Sequence, residues 1–143
     1  MTGPACDLRI LEQICLKVFE ASPDAMVVIN RAGVITSFNV QAELLFGVGR
    51  NEVLGQQIEV LIPEAKRVQH VASRVAYFNE PKTREMGLGI QLEGRYRDGT
   101  TFPVQIKLAP IVADGIGVFA LAVVRRITLL LKGESCQEQI PPR

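Results

Sequence analysis

The strongest constraint on this fold lies between Ile90 and Leu108. Asp98-Gly99 is a tight-turn pair of the kind that closes a β-hairpin, because glycine accepts the positive φ such turns need. After it, Phe102, Val104, Ile106 and Leu108 alternate with Thr101, Pro103, Gln105 and Lys107, the period of a half-buried strand. Before it, Ile90, Leu92 and Tyr96 alternate with Gln91, Glu93, Arg95 and Arg97. Two strands with one apolar and one charged face therefore pair across the turn, covering a core and turning their backs to water.

The rest of the chain supplies what that hairpin covers. Leu8, Leu11, Ile14, Cys15, Val18 and Phe19 recur at helical spacing, with Asp7 placed to cap the first turn. Such an amphipathic N-terminal helix needs a partner surface, in its own domain or in a second copy. Ala21-Ser-Pro-Asp-Ala25 breaks it. Met26–Ile29 is fully apolar and reads as a strand covered on both faces; Asn30-Arg-Ala-Gly33 turns the chain and Val34–Phe38 returns beside it. Asn39 caps a short helix whose Ala42, Leu45 and Phe46 face inward, and Gly47 ends it. Glu52–Gly55 reads as one more helical turn, and Ile58–Ile62 as a short apolar element stopped by Pro63. From Glu64 to about Phe78 a longer helix carries Val68, Val71, Val75 and Phe78 in one apolar stripe. Beyond the hairpin, Ala113-Asp-Gly115 turns the chain into Val118–Val124, apolar throughout and hence a central strand beside Met26–Ile29.

This order predicts an α+β domain built on a five-stranded antiparallel sheet, with short helices on one face. The predicted divisions are a flanking helix over 1–20, the domain over 21–128 and a polar tail over 129–143 with paired prolines. A chain of 143 residues fits one domain, and a domain of that size buries roughly 68–70% of its unfolded surface. The formal net charge of +1 gives no general attraction to nucleic acid or anionic membrane. Acidic residues predominate up to Glu64 and basic ones from Lys66 to Lys132, so the second half faces either solvent or an acidic partner.

Cys6, Cys15 and Cys136 show neither a paired nor a metal-type spacing, and Cys15 reads as a small buried hydrophobe, a pattern suited to a reducing cytosol. The first residues lack the regions of a signal peptide, and Arg125-Arg126 split the apolar run Phe119–Leu131, which is too short to span a bilayer. A soluble cytoplasmic protein is expected. Enzyme constellations are absent from the sequence. His70 is the one histidine, nothing arranges a nucleophile around it, and Gly87-Leu-Gly89 is too short for a dinucleotide fingerprint. A basic stripe interleaved with aromatics is missing as well, so neither catalysis nor nucleic-acid binding is expected.

Several stretches of wording agree on one family. Arg97-Asp-Gly99 followed by Phe102-Pro-Val104 and an alternating strand resembles the third and fourth strands of PAS sensor domains. Ser22-Pro-Asp-Ala25, Phe38-Asn39, Leu45-Phe-Gly47, Leu54-Gly55, Leu61-Ile-Pro63 and Val124-Arg-Arg-Ile-Thr128 are similar to that family too, in the right order over about residues 18–128. The resemblance implies a signal-input module that relays a ligand, redox or gas state through protein contacts, as in two-component systems that regulate transcription. Its implied partners are a second copy, met through the N-terminal helix, and a histidine kinase or other output domain.

The resemblance also implies a cofactor. Haem-binding PAS domains of oxygen-sensing kinases and phosphodiesterases carry their axial histidine on the long helix. His70, in Ile62-Pro-Glu-Ala-Lys-Arg-Val-Gln-His70, matches that position, which would make its Nε2 an iron ligand. The kinases place an arginine for bound oxygen where this chain has Ile90, which implies binding of carbon monoxide or nitric oxide without that hydrogen bond. From the residues alone, His70 points roughly 100° away from Val71 and shares its flank with Arg74 and Tyr77, so a surface or half-buried histidine is the alternative. Ile90, Leu92, Leu108 and Leu121 are the apolar side chains expected around a ligand, or else plain core. A light-sensing flavin domain would need a reactive cysteine between Ile58 and Pro63, and none is there; a noncovalently held flavin, which has no readable motif, stays open. At the end, Arg126-Ile127-Thr128 stands where the family has Asp-Ile-Thr, so the exit anchor is changed in sign. A ligand-free dimerisation module is the other reading.

Overall fold

The fold, a computed structural model, describes residues 8–86 and 92–128. Helix α1 (Leu8–Ala21) precedes strands β1 (Ala25–Ile29) and β2 (Ile35–Phe38). Two short helices follow, α2 (Val40–Phe46) and α3 (Arg50–Val53), then 3₁₀ turns at Ile58–Leu61 and Glu64–Lys66 and the longer α4 (Arg67–Asn79). The chain closes with β3 (Arg84–Met86), β4 (Leu92–Arg95), β5 (Thr101–Ala113) and β6 (Gly117–Arg126). All pairings are antiparallel, in the order β2-β1-β6-β5-β3, with β4 also on β5.

The predicted central strand is confirmed: β6 lies against β1, with Val27 opposite Ala122 and Ala25 opposite Val124. The Asp98-Gly99 hairpin is confirmed too, with Arg95 opposite Thr101 and Leu92 opposite Val104. Among the described residues the sheet has six strands rather than the five expected, because two short segments lie beside β5, β4 along Thr101–Val104 and β3 along Ile106–Leu108. Ile90 lies outside the described residues, as do Asp7, Cys6 and Cys136.

One face of the sheet is packed. Val27, Phe38, Phe102, Val104 and Val124 meet Ala42, Phe46, Val53 and Leu61 from the helical side. Rings stack through this layer, with Phe46 lying 6.2 Å from Phe38 and 5.8 Å from Phe102 between centroids, an arrangement that adds to plain area burial.

Asn39 ties three elements together. It is fully buried. Its Oδ1 accepts from the backbone N–H of Met26 and of Ala42, both at 2.9 Å, and its Nδ2 donates to the carbonyls of Phe19 at 2.9 Å and Asp24 at 3.1 Å. The cap expected for α2 is therefore also the bolt that fixes α1 to the start of β1.

Helix α1 lies on the domain without burying a residue. Glu20 holds its end, accepting from Arg50 Nη1 at 2.6 Å and from the Val40 N–H at 3.2 Å. The Arg50 hydrogen bond, opposed by desolvation, keeps the Glu20 carboxyl below its ordinary range. Leu8, Leu11, Ile14 and Val18 are all more than half exposed, and Cys15 is exposed rather than buried. Among the described residues no second layer covers these side chains.

The exit from β6 is also held. Arg125 reaches back to Asp24 at 2.9 Å, and the Arg126 guanidinium lies 5.1 Å from the centre of the Phe102 ring. A cation on an aromatic face thus occupies the position where the family's wording has a carboxylate.

Candidate functional site

A cavity of about 220 Å³ opens between α4, the Ile58–Leu61 turn and the packed face of the sheet. Ile58, Leu61, Leu92, Ile106 and Leu108 make its apolar wall. Among its polar groups, α4 presents His70, Arg74 and Tyr77, while Arg84 and Glu93 come from β3 and β4. The three on α4 stand at i, i+4 and i+7, one face of a helix.

That face is not the one the apolar pattern selects. Val68 is 87% exposed, and Val71 and Val75 are also exposed, while Tyr77 and Phe78 are buried. The reason lies below the helix. Glu59, on the Ile58–Leu61 turn, is buried to 7% exposure and needs donors. His70 Nδ1 stands 2.6 Å from Glu59 Oε2, and Arg74 donates to both carboxylate oxygens at 3.1 Å. Turning the valines inward would leave that buried carboxylate unpaired, at a cost well above the gain from half-covering three valines.

Desolvation pushes the Glu59 carboxyl upward, but hydrogen bonds from Arg74 and His70, with their charge, outweigh it and hold the group below its ordinary range. An ionised carboxylate only accepts hydrogen bonds, so Nδ1 of His70 carries the proton. In the neutral ring this leaves Nε2 with a free lone pair. The Tyr77 hydroxyl is buried and has no partner among the described residues. Burial raises this phenol, against a smaller opposing effect of the Arg84 charge.

Of the residues singled out from sequence, His70, Leu92 and Leu108 meet at the cavity. Leu121 does not. It pairs with Val28, whereas Ala120 and Ala122 pair with Ile29 and Val27 and face the cavity. Side chains alternate along a strand, so one position moves Leu121 to the other face of the sheet. Sequence reasoning missed Glu59, and it set Arg74 and Tyr77 on the flank of His70 without giving either a role. The spacing of Glu59 eleven residues before His70 carries no periodic signal, because a turn and a helix start lie between them. Among the described residues no group of three or more His, Cys, Asp or Glu side chains converges to hold a metal ion.

Comparison with known proteins decides the family. Residues 16–127 match the PAS fold. The chain belongs to the PAS family. This PAS domain is similar to the sensor protein FixL of Bradyrhizobium diazoefficiens, with 34% identity over 108 residues, covering 76% of this chain and 21% of FixL. It is 33% identical over 99 residues to the oxygen sensor protein DosP of Escherichia coli, covering 69% of this chain and 12% of DosP. The PAS domain thus spans about a fifth or less of these relatives. Among solved structures it superposes on the PAS domain of an HTR-like protein from Haloarcula marismortui with a TM-score of 0.70 at 24% identity, covering 86% of this chain and 97% of that one. PAS domains of this kind are sensor modules of signal-transducing proteins. No helix among the described residues is long and apolar enough to cross a membrane.

Proposed function

We propose that this PAS domain is a ligand-responsive sensor whose most concrete form is a haem held by His70. The observation that carries this reading is the seating of His70 in the wall of an apolar cavity, with Nδ1 on a buried carboxylate. Histidines that bind metals usually donate their other nitrogen in this way, which fixes the tautomer and strengthens the free one as a ligand. The likeness to the oxygen sensor DosP supports the same reading.

The residues fit the group. Nε2 of His70 would be the axial ligand, and Leu92, Ile106 and Leu108 would supply an apolar wall that keeps water away. At about 220 Å³ the space is below the roughly 300–1,000 Å³ usual for drug-sized ligands, so taking in a macrocycle widens the gap between α4 and the sheet. Bound haem supplies an iron that takes up diatomic gases. In line with Ile90 at the position of the oxygen-binding arginine, carbon monoxide or nitric oxide would be favoured over oxygen.

The test is the visible spectrum of protein expressed with haem precursor and titrated with hemin. A sharp Soret band that moves with carbon monoxide and disappears in His70→Ala is expected. A colourless protein that takes up no stoichiometric hemin overturns the reading.

The exposed apolar row on α1 favours a second function alongside sensing, or in place of it: association with a second copy of the chain, and through it with an output domain such as a histidine kinase. Leu11 is 54% exposed in the single chain. In light scattering, Leu11→Glu is expected to convert a dimer into a monomer, since a charge buried at such an interface is strongly disfavoured. An unchanged mass rejects α1 as the interface.

A further inference from the structure

The groups around His70 do not stop at Glu59. Arg74, which clamps the same carboxylate, lies against the turn between β1 and β2. Its guanidinium occupies the space that a Cβ at Gly33 would need, and its Nη2 is 3.3 Å from Gln57 Oε1. Gly33 is buried with φ of +84°, so both the backbone and the neighbour call for glycine. The Glu59 turn is bonded to the same place. Ile58 N–H donates to the Gly33 carbonyl at 2.8 Å, and Ile35 N–H to the Gln56 carbonyl at 2.8 Å. Imidazole, carboxylate, guanidinium and turn are therefore in unbroken contact.

This arrangement deepens the sensor reading and rests on it, since it takes His70 as the residue a ligand engages. We propose that the Glu59–Arg74 pair couples the position of the His70 ring to the β1–β2 turn, so that a ligand on Nε2 is read out at the edge strand β2. The ring is held at Nδ1 by a carboxylate that two hydrogen bonds lock to Arg74, a geometry with little slack. A displaced ring must then break the contact or carry the carboxylate and guanidinium with it. Arg74 bears directly on the glycine turn, its guanidinium filling the space beside Gly33, so a movement of Arg74 toward the turn meets the backbone at once. β2 is the last strand on its side of the sheet, with Gly55–Ile58 hydrogen-bonded beside it, so the shift reaches the border of the sheet. Glu59 and Arg74 act as positioning residues and need not touch the ligand.

The coupling is testable in the full chain without any ligand, by amide nitrogen–proton spectra of four proteins: the parent, His70→Gln, Arg74→Met and the double variant. His70→Gln is expected to move the Gly33 and Val34 resonances in the parent and to leave them in place in the Arg74→Met background. Resonances that stay put in both backgrounds, or move equally in both, overturn the proposal. Should Arg74→Met fail to fold, Arg74→Lys keeps the charge but lacks the two-pronged grip, and is expected to lose the coupling likewise. Hemin titration of the same samples separates the two ideas. A turn that answers His70→Gln in a protein that binds no hemin leaves the coupling and removes haem; hemin binding with a silent turn does the reverse.

Discussion

An Asn39→Ala variant is expected to unfold with about 3 kcal/mol less stability than the parent in chemical denaturation. Losing a helix N-cap alone costs about 1 kcal/mol. Here the side chain also satisfies the Met26 N–H and the carbonyls of Phe19 and Asp24. Buried groups left without partners cost about 1–3 kcal/mol each, less where water reaches in. Asn39→Asp distinguishes the bolt from a simple cap. It keeps the acceptor for Met26 and Ala42 but sets a carboxylate against the two carbonyls, so it is expected to be at least as damaging as alanine. A loss near 1 kcal/mol in alanine and none in aspartate would reduce Asn39 to an ordinary cap.

Phe46→Ala is expected to cost about 3–5 kcal/mol, the usual range for removing a buried aromatic ring. Phe46 is 4% exposed, joins the rings of Phe38 and Phe102, and lines the cavity beside His70. Its removal therefore has a second effect that removal of Phe38 lacks, namely more room at the site. Benzene, which enters apolar cavities of this kind, is expected to raise the melting temperature of Phe46→Ala by more than it raises that of the parent, whose cavity is about 220 Å³. A loss under about 1 kcal/mol would mean that the surrounding core collapses into the gap and that the cavity is not separately held open.

Much of this architecture was legible in the residue order. The Asp98-Gly99 turn, the alternation from Phe102 to Leu108, the unbroken apolar run Val118–Val124 and the Asn39 cap each report a local rule, and each element formed where its rule placed it. The failures share one cause. Helical periodicity ranks faces by apolar content, and on α4 it chose Val68, Val71, Val75 and Phe78, of which Phe78 is buried and the three valines face outward. The deciding partner was Glu59, a charge on another element, which the pattern within α4 cannot register. The same blindness placed Leu121 in the pocket, since a strand apolar on both faces gives no sign of which face points inward, and it put Cys15 inside on the strength of a helical stripe that the domain leaves uncovered. His70 itself was found, but its most informative property, a carboxylate behind it, emerges only from the folded chain.

The clasp between Asp24 and Arg125 has a mechanical consequence. Asp24 sits where the chain passes from α1 into β1, and Arg125 sits where β6 gives way to the residues after it. β1 and β6 are neighbours, with Ala25 beside Val124. Both flanking segments consequently leave from one corner, attached to adjacent strands of the same sheet. The strand pairing, more than the exposed ion pair, holds the two departure points side by side, so a displacement of one strand end is felt first at the other.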